Sequence, residues 1–76
     1  MKVQVITVDG SQEVEIAGGV TETARKIIGP TVKITVKDER LVMLVQKNGA
    51  GANPLASSIA GRMITGNAVL CERRFL

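Results

Sequence analysis

From Lys47 to Arg62 the chain reads KNGAGANPLASSIAGR, and here residue type and spacing offer chemistry as well as packing. Gly49 and Gly51 stand ahead of Asn53-Pro54, the expected start of a helix. A glycine-rich loop at a helix start presents unpaired backbone N–H groups and the positive end of the helix dipole. That combination suits a phosphate or a carboxylate. On this reading the N–H groups of Gly51–Asn53 and the Ser57 hydroxyl meet the anion, Lys47 and Arg62 add charge, and Asn48 reads polar edges. The pattern differs from familiar phosphate loops: no Gly-Lys-Ser/Thr follows, and Pro54 occupies the third glycine position of G-x-G-x-x-G. An ordinary strand-to-helix connection explains the same residues, with Asn48-Gly49 supplying positive φ and Asn53 capping the helix. Both readings stay open. A second cationic candidate is Arg25-Lys26 with Lys33 and Lys37, with Arg73-Arg74 reaching a neighbouring subunit's site. Solvated faces and a solvated or disordered tail are its alternatives.

The residues for catalysis are few. There is no histidine, the usual general base near neutral pH. The single cysteine, Cys71, sits in a strand pattern with no base beside it and reads as a buried, inert thiol. Asp9 and the Asp38-Glu39 pair fall at turns separated by apolar strands, so neither a carboxylate pair nor a metal cluster is expected. Ser57 and Ser58 lack both the G-x-S-x-G elbow and a partner base. The expectation is a binder and not an enzyme, with no cofactor.

The 76 residues form one domain, 1–76, with one small core. A chain of this length buries only about 60% of its unfolded surface. No disulfide or zinc cluster reinforces it, so self-association is the remaining means of stabilisation. The 45% apolar content allows spare surface for a homo-oligomer. No stretch approaches the roughly 20 apolar residues of a membrane span, and the N-terminus reads as a strand and not an export signal. With a reduced thiol, that points to the cytoplasm. Ten basic against seven acidic residues give a net charge of +3, mildly favouring anionic partners. Only Phe75 is aromatic, which removes the stacking platforms of single-strand binders and argues against nucleic acid.

The elements that must position the loop follow from pattern. Residues 2–8 are rich in β-branched types and read as a strand, with Val3, Val5 and Thr7 on one face and Ile6 and Val8 on the other. Asp9-Gly10 predicts a hairpin turn into a strand over Gln12–Ile16. Thr21 reads as the N-cap of a short helix that buries Val20, Ala24, Ile27 and Ile28 and ends at Gly29-Pro30. Thr31–Lys37 alternates, Val32, Ile34 and Val36 inward, Lys33, Thr35 and Lys37 outward. Leu41–Val45 has no polar interruption and predicts a strand covered on both faces. A helix from Pro54 buries Leu55, Ile59 and Met63 with Ala56 and Ala60, and Ala68–Glu72 is a last strand. The order is ββαββαβ. The fold expected is α+β: a mixed sheet of about five strands with both short helices on one face.

In its second half the chain resembles a group of small uncharacterised proteins of phage and plasmid genomes. The residues that carry the resemblance are Asn48-x-x-Gly51, then Asn53-Pro54-Leu55-Ala56, then Ile64-x-Gly66-x-Ala68-Val69-Leu70. The first half, with its Val-Glu-Ile strand and Ile28-Gly29 before an alternating strand, is compatible with it. The resemblance implies an accessory protein of a mobile element. By analogy of type, the chain is also similar to small phage proteins that sequester cyclic or ADP-ribose-type nucleotide signals of bacterial immunity. The expected function is therefore a non-catalytic cytoplasmic homo-oligomer that binds an anionic small molecule, a signalling nucleotide on this analogy, to counter host defence. The alternative is a protein-interaction module that binds and inhibits a host or defence protein.

Overall fold

The two N-terminal segments form a hairpin, β1 (Lys2–Thr7) and β2 (Gly10–Glu15), in a computed structural model that describes residues 1–76. Helix α1 (Val20–Ile28) follows, then β3 (Thr31–Thr35), β4 (Leu41–Gln46), α2 (Pro54–Ala60) and β5 (Ala68–Glu72), with a 3₁₀ turn at Arg73–Phe75. This is the expected ββαββαβ order of an α+β domain. The five strands make one sheet in the order β2-β1-β5-β4-β3.

Two features of the architecture differ from expectation. Every neighbouring pair is antiparallel, so the sheet is not mixed. The registers make β2 and β3 run the same way, as a helical crossover suggests. They lie at opposite edges, however, and never pair. The α2 segment joins β4 to its immediate antiparallel neighbour β5, so it is a hairpin connection with a helix inserted.

The helices also cover opposite faces, not one. Strand alternation proves it. On one side Val3, Val5, Val42, Leu44, Val69 and Cys71 pack with Val20, Ala24 and Ile28 of α1. On the other, Ile6, Met43 and Ala68 pack with Ala56 and Ala60 of α2, together with Val36 and Ile64. Adjacent residues of one strand point to opposite faces, so the two clusters are separated by the sheet itself. Val42, Met43 and Leu44 are all buried, as the unbroken apolar run of β4 predicts.

Several local details differ as well. The α1 helix begins at Val20 with Gly19 as its cap, not Thr21, and Thr23 Oγ1 bonds back to the Gly19 carbonyl at 2.8 Å. The hairpin turn is Val8-Asp9, one residue earlier than expected, and Gly10, at φ 151°, opens β2. Leu55 and Met63 lie outside the buried stripe, 41% and 80% exposed, because α2 ends at Ala60 and meets the sheet through its alanines. Val32 and Ile27 are exposed as well, although their patterns predict burial. Each of these side chains sits at the end or edge of an element, where periodicity continues but the packing partner does not. No helix is long and apolar enough to cross a membrane.

Candidate functional site

The glycine loop is built into the fold by a backbone crossing. A methyl group placed on Gly66 would lie 2.5 Å from the Gly49 Cα, and one on Gly49 would lie 2.6 Å from the Gly66 Cα. The loop after β4 and the turn before β5 therefore touch backbone to backbone, which only glycine allows. Gln46 locks the crossing. Its side chain donates to the Ile28 carbonyl at 2.9 Å and accepts from the Asn67 N–H at 3.0 Å, joining the end of α1 to the start of β5. The Gly51 carbonyl accepts from the Gly66 N–H at 2.9 Å.

Asn53 is the centre of this region and is completely buried. Its side-chain oxygen accepts from the Ala56 N–H at 3.1 Å, the expected N-cap, and Pro54 opens the helix. Its Nδ2 donates to the Ile6 carbonyl at 3.0 Å and the Gly66 carbonyl at 2.8 Å. One amide thus ties β1, α2 and the turn before β5 together. The Asn53 N–H donates to the Ile64 carbonyl at 2.9 Å. Ser57 is occupied in the same way: its Oγ accepts from the Ile64 N–H at 2.8 Å and donates to the Ile64 carbonyl at 3.3 Å.

Among the residues expected to bind an anion, Asn53, Ser57 and Gly49 are thus engaged within the fold. Lys47, Asn48 and Gly51 lie exposed on the loop, Gly51 at φ +84°. Arg62 is exposed beyond the C-terminal end of α2, at the opposite end of the helix from the loop, and is not brought to it.

A different part of the molecule gathers cations. Arg73 follows β5, and its N–H donates to the Arg40 carbonyl at 2.8 Å, extending the sheet by one bond past Glu72. The 3₁₀ turn then closes through Leu76 N–H to the Arg73 carbonyl at 3.1 Å. A cleft of about 360 Å³ results, lined by Lys33, Thr35, Val42, Arg73 and Leu76. Lys33 pairs with Leu44 and Thr35 with Val42 across β3–β4, so both point to the α1 side of the sheet. Of the basic group suggested by sequence, Lys33 enters this cleft. Arg25 and Lys26 do not line it, and the stem of Lys37 lies against Gly61.

Charge pairing leaves both cations of this cleft without a carboxylate, as it does Arg25, Lys26, Lys37, Lys47 and Arg62 elsewhere. What sets Lys33 and Arg73 apart is that they line one cleft together. The salt bridges are the N-terminus with Glu15, Lys2 with Glu13, Arg40 with Asp38 at 3.0 Å, and Arg74 with Glu72 at 3.1 Å. Neither Lys33 nor Arg73 has an acidic partner. The Arg40 side-chain and backbone hydrogen bonds hold the Asp38 carboxyl below its usual range, and Asp38 raises the Arg40 guanidinium in return. Arg73 also borders a neighbouring cleft where Glu39, Arg40, Glu72 and Arg74 largely compensate one another. The Arg74 guanidinium stacks over Phe75, 4.7 Å from its ring centroid.

Cys71 is buried, as its strand position predicts, and burial pushes its thiol pKa up, with nearby Glu72 adding to the effect. A raised thiol pKa makes a poor nucleophile at neutral pH. No group of three or more acidic or cysteine side chains is placed to hold a metal ion. The chain matches no protein-family model, and neither curated proteins nor solved structures show significant similarity to it.

Proposed function

We propose that the protein binds a phosphorylated or carboxylated small molecule without turning it over, and that Lys33, Thr35 and Arg73 form the site. One observation carries this reading: two cations without acidic partners flank an open cleft that also offers the Thr35 hydroxyl. Arg73 supplies a planar fork for bidentate contact, Lys33 a mobile point charge, and Val42 and Leu76 an apolar floor for the rest of the ligand. The protein acts in the cytoplasm as an accessory protein of a mobile element, and nucleotide signals of bacterial immunity are the ligands to test first.

Thermal unfolding against cyclic dinucleotides, ADP-ribose derivatives and simple organic phosphates tests the reading. A true ligand at 100 times its Kd stabilises the fold by about 2.7 kcal/mol, a rise in Tm of roughly 10 °C or more for a domain this small. Lys33→Ala and Arg73→Ala should each weaken binding at least tenfold. If Lys47→Ala abolishes binding and these two do not, the glycine loop is the site. If no phosphorylated or carboxylated compound shifts Tm at millimolar concentration, the proposal fails.

A second reading, a protein-interaction module, is supported by the apolar side chains Leu55 and Met63 exposed around α2. It predicts a stoichiometric protein partner whose capture is lost on Met63→Lys, with no small-molecule shift.

A further inference from the structure

The two edges of the sheet are treated differently. The outer strand β2 is protected: Ser11, Gln12, Glu13 and Glu15 are exposed, and Glu13 and Glu15 pair with Lys2 and the N-terminus. Charges on an edge are a familiar barrier to strand addition. At the other edge, β3 pairs only with β4 and carries one charge, Lys33. Val32 there is 47% exposed. On its α2 side Val32 and Ile34 continue a partly uncovered apolar area through Leu41, Val45 and Leu70, because the short α2 does not reach that far.

We infer that this edge is covered by a second copy of the chain, β3 against β3, antiparallel about a two-fold axis at Ile34. The register follows from the side chains. A two-fold axis perpendicular to the sheet keeps like faces together, so it must pass through a residue pair of the same parity. Centring on Lys33 would set two ammonium groups directly opposite each other. Centring on Ile34 sets Ile34 against the partner's Ile34 on the α2 side, with the exposed Val32 lying just past the end of the partner's β3, beside the partner's Val36, which is buried. On the α1 side Lys33 then faces the partner's Thr35. Apolar groups meet apolar groups and no like charges face each other, the pairing that stabilises antiparallel strands.

The consequence reaches the binding cleft, and this part rests on the function proposed above. Lys33 and Thr35 line the cleft and also flank the axis, so the two clefts become continuous across the dimer. The joined site carries Lys33 and Arg73 from each chain. A ligand with two separated anionic groups, such as a dinucleotide, matches that symmetry better than one with a single phosphate.

Crosslinking reads the register directly. Residues opposite each other across antiparallel strands have Cβ atoms about 4.5–5.5 Å apart, within reach of a disulfide after small adjustment. Ile34→Cys protein should oxidise to a covalent dimer, and Lys33→Cys protein should remain mostly monomeric. Sedimentation should give twice the chain mass for the unmodified protein and the single chain mass for Val32→Lys, whose circular dichroism should be unchanged. A monomer at 0.1 mM-scale loading (about that concentration), or crosslinking at position 33 and not 34, overturns the inference. Calorimetry separates the two claims. One dinucleotide per two chains supports both. A dimer that ignores every anionic ligand supports the pairing and refutes the functional reading, whereas a monomer binding one ligand through Lys33 refutes the pairing alone.

Discussion

Asn53 shows how much one side chain can hold in a chain without disulfides. Its amide satisfies a helix start and two carbonyls from distant segments, all in a fully buried position. Asn53→Ala removes a cap worth about 1 kcal/mol and leaves buried carbonyls without a donor, at about 1–3 kcal/mol more. A loss of about 2–4 kcal/mol in urea unfolding is expected, a large share of the margin of so small a domain. Cys71 gives a prediction in pH. Its folded pKa is raised, so the thiol's contribution is fully present below the ordinary thiol range and is lost as pH rises through the folded value. Stability measured by denaturant should therefore decline at alkaline pH, and less steeply in Cys71→Ala. If both proteins follow the same alkaline profile, another group is responsible.

At the scale of elements, what was legible in the sequence depended on whether a signal was local. Asn53-Pro54 marks its helix start because capping involves residues three apart, and β5 appears at Ala68–Glu72 as its apolar run predicts. The apolar run of β4 likewise announces burial on two faces. The placement of helices on opposite faces was not legible, since both faces of β1, β4 and β5 carry apolar residues and nothing local assigns a helix to one of them. The cationic cleft was half legible: Lys33 and Thr35 alternate visibly outward, but Arg73 joins them only because β5 pairs with β4 and the tail turns back. The glycine loop misled in the other direction. The Asn53 N–H and the Ser57 hydroxyl find partners at Ile64, and the Gly51 carbonyl at the Gly66 N–H, too far along the chain for any motif to reveal. Helix α2 and the turn that follows it offer a measurable contrast. Ala56 is fully buried and Met63 is 80% exposed. Ala56→Leu should overpack the interface and cost about 1–3 kcal/mol. Met63→Lys should stay within about 0.5 kcal/mol of the parent in the same denaturation assay. Equal losses would mean that Met63 is covered in solution.

For the whole molecule the arrangement of strands matters more than any single contact. The β1–β2 and β3–β4 hairpins are local in sequence, yet neither touches the other within the sheet. They are joined by β5, which lies between β1 and β4. Removing Arg73–Leu76 leaves all five strands and should preserve the fold while abolishing anion binding, checked by circular dichroism and calorimetry. The central strand is also the last to be made. A ribosome delivers the β1–β2 and β3–β4 hairpins before the middle strand, so the sheet has no complete hydrogen-bonded form until β5 has been made. Until then β1 and β4 each present an open apolar edge, a template for the wrong strand as much as for the right one. The gap between them is therefore a vacancy in time, and a peptide of residues 67–76 supplied in trans to residues 1–66 should fill it, restoring the β-sheet spectrum that either piece lacks alone.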